Sequence, residues 1–208
     1  MVLNVNGREY PYGAKVVASQ EQILERIQKV AVQIQQDYRG KISMDNPLIL
    51  ICVLKGSYHF TSDLSRALAD HRVPNVVEFL CVSSYGDSTQ SSGEVRVLLD
   101  IRNTIQKRHV LIVEDIIDSA RTLDFLVKIF MTRSPASLNT ICLLDKPSGR
   151  KVDFSVTYGL FTIEGGFVVG YGLDYAERYR DLRDIIVLKP EVYDKTVADR
   201  PHTIPSKL

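Results

Sequence analysis

The run Val110-Leu111-Ile112-Val113-Glu114-Asp115-Ile116-Ile117-Asp118-Ser119-Ala120-Arg121-Thr122 constrains this chain more than any other stretch. It opens with four consecutive apolar residues, three of them β-branched, which is the pattern of a strand buried on both faces. Two carboxylates follow at once, then two isoleucines, a third carboxylate, and a set of small and hydroxylated residues. Leu123, Phe125, Leu126, Ile129 and Phe130 then recur at helical spacing. The order is buried strand, acidic edge, short loop, helix N-terminus. Such a loop presents backbone N–H groups and the positive end of a helix dipole, both suited to a phosphate. Ser119 and Thr122 add hydroxyl donors and Arg121 adds charge. Glu114 and Asp115 suit ribose hydroxyls or a hard cation, and Asp118 is placed to handle a proton. The plainer alternative is an αβ connection whose acids are solvated N-cap residues.

A length of 208 residues fits one α/β domain with appendages and is enough to bury a full core. An apolar content of 45% and a charged content of 25% are those of an ordinary globular protein. The net charge is +1, from 26 basic and 25 acidic residues, so no bulk basic field points to nucleic acid. The longest apolar run, Pro47 to Leu54, falls far short of a membrane span, and Met1 to Pro11 lacks the apolar stretch of a secretory signal. Cys52, Cys81 and Cys142 lie in apolar strand-like runs without metal-ligand spacing, so they read as buried structural thiols. His59, His71, His109 and His202 are scattered, which argues against zinc. No G-x-G-x-x-G or G-x-x-x-x-G-K-[ST] follows an expected strand, so dinucleotide-binding and P-loop architectures are excluded.

In chain order, Met1 to Val17 suggests a short strand pair leading into a loop. Ser19 to Tyr38 is the clearest helix, with Ser19 and Gln22 as a capping box, an apolar stripe of Ile23, Ile27, Val30 and Ile34, and Gly40 as its stop. Pro47 to Leu54 reads as a second buried strand. It ends in Lys55-Gly56-Ser57, before a helical pattern through Phe60, Leu64 and Leu68. Taken alone, Lys55-Gly56 is also what a plain βα turn looks like. Val76 to Val82 and Val95 to Leu99 read as further strands, joined by the long polar segment Ser83 to Gly93, which suits either a hairpin loop or a lid. Another strand, Thr140 to Leu144, ends at Asp145-Lys146-Pro147, where a lysine reaches the crevice in which open α/β sheets bind ligands. Further on, Phe167-Val168-Val169-Gly170-Tyr171-Gly172-Leu173-Asp174-Tyr175 precedes Arg178, Tyr179, Arg180 and Asp181. A lone phenylalanine such as Phe167 more often packs in a core.

The stretch from Glu114 to Thr122 resembles the phosphoribosyl-diphosphate (PRPP) signature of the type I phosphoribosyltransferases. Their loop typically reads Asp-Thr-Gly-Lys-Thr where this chain has Asp118-Ser119-Ala120-Arg121-Thr122. Alanine in place of glycine weakens an expectation of positive φ at position 120. With Lys146 and the segment from Phe167 to Asp181 added, the likeness runs from about Pro47 to Leu188 and is to the hypoxanthine-guanine branch of that family. It implies a mostly parallel twisted sheet flanked by helices, with a small hood. The core would span about 19–165, the hood about 1–18 and 166–195, and the tail 196–208.

The resemblance also implies roles. Glu114, Asp115 and Asp118 to Thr122 would hold the ribose and 5′-phosphate of PRPP. Lys55, Gly56 and Arg180 would bind pyrophosphate, and Ser84-Tyr85 would close as a lid. Ile116, Lys146, Phe167, Val168 and Asp174 would line the purine site, with Lys146 donating to the 6-oxo group and Phe167 stacking on the base. Glu114, Asp115 and Asp174 would serve Mg²⁺, and Asp118 would act as general base on purine N7. The implied reaction transfers phosphoribosyl from PRPP to hypoxanthine or guanine, in purine salvage. A xanthine-preferring relative and a non-catalytic PRPP-binding regulator are the alternatives. Asp145 departs from relatives, which often carry an apolar residue there. Family members commonly form dimers or tetramers. Ser206-Lys207-Leu208 matches a peroxisomal import tripeptide, which fits the glycosomal branch of the family. No nucleic-acid or membrane partner is expected.

Overall fold

In this computed structural model, which describes residues 2–84 and 95–194, the chain opens with two short paired strands, β1 (Leu3–Val5) and β2 (Arg8–Tyr10). Asn6 and Gly7 join them at φ 50° and 84°, the double positive φ that matches a two-residue hairpin to strand twist. A third strand, β3 (Gly13–Ala18), follows where the sequence suggests a loop. Helix α1 (Gln20–Asp37) buries Ile23, Ile27, Val30, Ala31 and Ile34 along one stripe, and the chain turns away through Gly40 at φ 73°. Then come β4 (Leu48–Leu54), α2 (Tyr58–Asp70), β5 (Asn75–Ser84), β6 (Val95–Leu99), β7 (His109–Ile117), α3 (Arg121–Met131), β8 (Ser137–Asp145) and β9 (Tyr158–Thr162). β10 (Val168–Val169), β11 (Ile185–Leu188) and a short α4 (Pro190–Tyr193) complete the described residues.

Among the described residues, 21–84 with 95–165 form one compact unit, and 2–20 with 166–194 form another. The larger unit holds a six-stranded sheet in the order β6-β5-β4-β7-β8-β9. Every neighbouring pair is parallel except β5 with β6. This is the mostly parallel, helix-flanked sheet implied above. Its central strands are apolar without alternation because both faces are covered: Leu48 to Cys52 and Val110 to Val113 are at most 1% exposed. Leu123, Leu126 and Phe130 of α3 join Ile49, Ile51, Val110 and Ile112 in one core, while α2 lies against β4 and β5. The chain leaves β4 toward β5 and leaves β7 toward β8, on opposite sides of the β4–β7 pair. Open α/β sheets form a crevice at the carboxyl ends of such a pair. Of the three cysteines, Cys52 and Cys142 are buried, and burial pushes both thiols up; Cys81 is only half-buried, against the expectation, because β5 lies nearer the sheet edge. No helix among the described residues is long and apolar enough to cross a membrane.

The smaller unit pairs β10, β11 and β3 in an antiparallel sheet. Its anchor is Asp184, whose side chain is fully buried. Arg8 grips the carboxylate through Nε at 2.7 Å and Nη2 at 2.6 Å, the Tyr10 hydroxyl donates at 2.6 Å, and the Gln20 N–H donates at 2.8 Å. Burial raises the Asp184 pKa, but these donors outweigh it and hold the carboxyl below its usual range. Removing one partner of such a buried pair strands the other, so Asp184→Ala is expected to destabilise the fold by about 3–5 kcal/mol, read as a lower urea midpoint. Because the folded pKa is depressed, this contribution is present above the unfolded carboxylate value of about 4 and is lost as pH falls through the folded one.

Candidate active site

Parallel pairing with β8 continues past the apolar run of β7, with Glu114 opposite Cys142 and Ile117 opposite Asp145. Glu114 and Asp115 therefore lie within the strand rather than beyond it, and the loop proper is only Asp118-Ser119-Ala120. Ala120 caps α3 at φ 62°, the left-handed conformation that alanine in place of glycine made less expected. The strain is about 1–2 kcal/mol for a residue with a Cβ, and Ala120 is buried, held by its surroundings. A cleft of about 170 Å³ opens here, lined by Glu114, Ile116, Ile117, Asp118, Ser119, Ala120, Thr122 and Leu123. Asp115 and Arg121 do not line it; Arg121 is exposed at the start of α3.

Asp115 faces the neighbouring loop instead. A Cβ added to Gly56 would overlap the Asp115 carboxylate, so the loops after β4 and β7 approach each other as closely as backbone and side chain permit. Lys55 is exposed beside it, and the Leu54–Lys55 peptide is cis. Gly56→Ala must displace Asp115, and ångström-scale misplacement in a site is worth roughly 10²-fold. The expected result is a fall of about that size in kcat/KM for PRPP, in initial-rate assays at saturating purine.

Glu114 is half-buried as a residue, but its Oε2 is sealed and has no hydrogen-bond partner among the described residues. Burial, aided by the nearby Asp115 charge, pushes its carboxyl well above the usual range. An orphan acceptor of this kind beside a cleft suits an incoming hydroxyl or a hydrated cation. Among the described residues no three His, Cys, Asp or Glu side chains converge into a metal cage. The Glu114–Asp115 pair instead fits an ion such as Mg²⁺, which keeps most of its waters and takes one or two carboxylates plus substrate oxygens.

The loop after β8 brings Lys146 to Asp118, Nζ donating to Oδ2 at 2.9 Å. The Asp118 carboxylate also lies against Gly149, where a Cβ would overlap it. Asp145 forms an ion pair with Arg150, a residue sequence reasoning overlooks. Its only sequence signal is a glycine-arginine pair just after the Lys146 turn.

The remaining candidates belong to the smaller unit. Phe167 is 37% exposed rather than packed in the core. Its ring stacks on Tyr193 with centroids 5.1 Å apart and meets Tyr175 edge-on at 5.5 Å. Val168 lies in β10 opposite Val187. Asp174 accepts the Glu177 N–H at 2.9 Å and pairs with Arg180 at 2.9 Å. Arg180 also donates to the Gly172 carbonyl at 2.8 Å, so its guanidinium is fixed within its own loop. Tyr85 of the expected lid and Ser206-Lys207-Leu208 lie outside the described residues; Ser84 is described only as the last residue of β5.

A family profile described as phosphoribosyl transferase domain matches residues 15–176. The chain is 56% identical over 189 residues to the hypoxanthine-guanine phosphoribosyltransferase of Leishmania donovani, covering 90% of each. It is 54% identical over 189 residues to that of Crithidia fasciculata, covering 90% of this chain and 91% of that one. The chain belongs to the hypoxanthine-guanine phosphoribosyltransferase family. A solved structure of the Trypanosoma cruzi hypoxanthine phosphoribosyltransferase, in complex with the product IMP, superposes with a TM-score of 0.85 at 55% identity, covering 89% of this chain and 100% of that one. A phosphoribosyltransferase has to place an acidic group, a phosphate-binding loop and a base-reading donor together. The ends of β7 and β8 bring carboxylates, a helix N-terminus and the Lys146 ammonium together.

Proposed function

We propose that this phosphoribosyltransferase moves the 5-phosphoribosyl group of PRPP onto hypoxanthine or guanine, giving IMP or GMP and pyrophosphate. The observation that carries the reading is the 2.9 Å contact of Lys146 with Asp118 beside the cleft. N7 and the 6-oxo oxygen are neighbours on one edge of a 6-oxopurine. A carboxylate and an ammonium standing side by side complement that edge, one taking the N7 proton and the other donating to the oxygen. Adenine presents a 6-amino donor to the same ammonium, and a site built around such a bond rejects the mismatched base by ~10⁴-fold.

As the ribose C1–pyrophosphate bond breaks, positive charge grows on the sugar and negative charge on the leaving group. The loop from Asp118 to Thr122 holds the 5′-phosphate, Glu114 and Asp115 engage the ribose hydroxyls, and Lys55 and Gly56 steady the pyrophosphate. Asp118 receives the N7 proton while Lys146 and Ile116 orient the base. For Arg180, Phe167 and Val168, in the smaller unit, the reading keeps the pyrophosphate and base roles that the family resemblance implies. Glu114, Asp115 or Asp174 would hold Mg²⁺, which would supply charge neutralisation on the phosphate oxygens. Self-association into a dimer or tetramer belongs to the same reading, supported by likeness to the T. cruzi enzyme, whose C-terminal region has a role in its oligomeric state and activity. Where Ser206-Lys207-Leu208 ends the polypeptide, a peroxisome-type receptor reads it and delivers the enzyme to a glycosome-like organelle.

Competition among hypoxanthine, guanine, xanthine and adenine for a limiting amount of PRPP with Mg²⁺ tests the reading. It expects nucleotide from the first two and little from adenine. Xanthine used as well as guanine would favour the xanthine-preferring alternative, and equal use of adenine would overturn the role of Lys146.

A further inference from the structure

Asp118 and Lys146 stand on different loops, and Arg150, at the far end of the short turn that Lys146 opens, ties those loops together. Arg150 Nη1 donates to the carbonyl oxygens of Ile117 at 2.8 Å and Asp118 at 3.0 Å, with a longer contact to Lys146 at 3.5 Å. Its Nη2 pairs with Asp145, the last residue of β8. Two main-chain bonds run alongside, from Lys146 N–H to the Ile117 carbonyl at 2.9 Å and from Lys151 N–H to the Ser119 carbonyl at 3.0 Å. The side chains of Arg150 and Asp145 are only 17% and 19% exposed, so solvent screens their pairing weakly. A planar guanidinium offers five donors in a rigid fork, whereas an ammonium is a compact point on a flexible stem. Lysine at this position therefore cannot hold two loop carbonyls and the Asp145 carboxylate in one plane. Asp145, the departure from the family's usual apolar residue, thus has a partner and a task.

We propose that Arg150, oriented by Asp145, is a positioning residue for base recognition: it fixes the separation between the proton acceptor Asp118 and the donor Lys146. The inference rests on the reading that those two groups meet the purine. Arg150 itself acts through loop carbonyls, and Gly149 beneath Asp118 gives the carboxylate its seat.

The test compares Arg150→Lys and Asp145→Asn with the unaltered chain, assayed at a temperature well below the unfolding midpoint of each. Hypoxanthine KM is expected to rise by ~10-fold or more and the hypoxanthine-over-adenine ratio of kcat/KM to fall by a similar factor, since ångström-scale shifts are worth up to about 10²-fold. PRPP KM should stay within about threefold, because Arg150 engages carbonyl oxygens of the loop whereas its main-chain N–H groups are what would hold the 5′-phosphate. A lower unfolding midpoint with base KM and base preference unchanged would make the clamp merely structural and overturn the proposal. So would a rise in PRPP KM as large as that in hypoxanthine KM. Should Arg150→Lys fail to fold, Asp145→Asn decides, because it keeps the guanidinium and its carbonyl bonds but frees its orientation. The unaltered chain separates the two levels. If it shows no preference for 6-oxopurines, the parent reading fails. If it does and Asp145→Asn retains that preference, only the positioning role fails.

Discussion

Asp118→Asn is expected to lower kcat for nucleotide formation by about 10²–10⁴-fold, the usual contribution of a positioned general base. The substitution keeps the shape that rests against Gly149 and removes the capacity to accept the N7 proton. Asp118 is half-exposed at the tip of the loop, and its side chain supports no buried network, so the fold should survive. KM for PRPP is expected within a few-fold of the unaltered value, because main-chain N–H groups of the loop hold the 5′-phosphate. Initial rates at saturating PRPP and hypoxanthine, with a thermal unfolding curve for each protein, check the outcome. A kcat within tenfold of the original would remove Asp118 from the proton-transfer role.

The second large effect concerns base choice. Lys146→Met keeps an unbranched chain of similar length and deletes the ammonium. The preference for hypoxanthine over adenine should then collapse from ~10⁴-fold to within about tenfold, because it depends on one polar match with the 6-substituent. Most of the change is expected as lost kcat/KM for hypoxanthine rather than as a gain for adenine. The ion pair with Asp118 spans side chains 24% and 50% exposed, so its removal should lower stability by less than about 1 kcal/mol. A retained preference would locate 6-oxo recognition elsewhere.

The centre of the sheet is legible in the sequence because β4 and β7 are buried on both faces, and continuous apolar runs leave few other placements. Strand ends are less so. Glu114 and Asp115 read as an acidic edge where the buried strand stops, yet parallel pairing with β8 carries the strand beyond them, a fact that resides in the partner strand. Strand β3 is opaque for a related reason. It pairs with β11, with Gly13 opposite Leu188, and nothing local announces a partner so far along the chain. Strand β9 has a glycine inside five residues and gives no clear period.

In the site, chemistry-bearing residues in one contiguous run, Glu114 to Thr122, stand out by type and spacing, and Lys146 by its place at a strand end. Arg150 does not, because its partners are carbonyl oxygens, which every residue has. Ala120 shows the opposite failure. Propensity argues against positive φ for an alanine, but the close fit of strand, loop and helix holds it there. Asp184 is similarly silent in sequence, since only the fold shows that Arg8, Tyr10 and Gln20 converge on it.

The most direct measurement of the central claim is the stoichiometry of one reaction: purified chain, PRPP, hypoxanthine and Mg²⁺, with PRPP loss, IMP and pyrophosphate quantified together. The account predicts one IMP and one pyrophosphate for each PRPP consumed, and arrest of all three changes when the metal is chelated. PRPP lost without IMP, or PRPP bound with neither product formed, would contradict it.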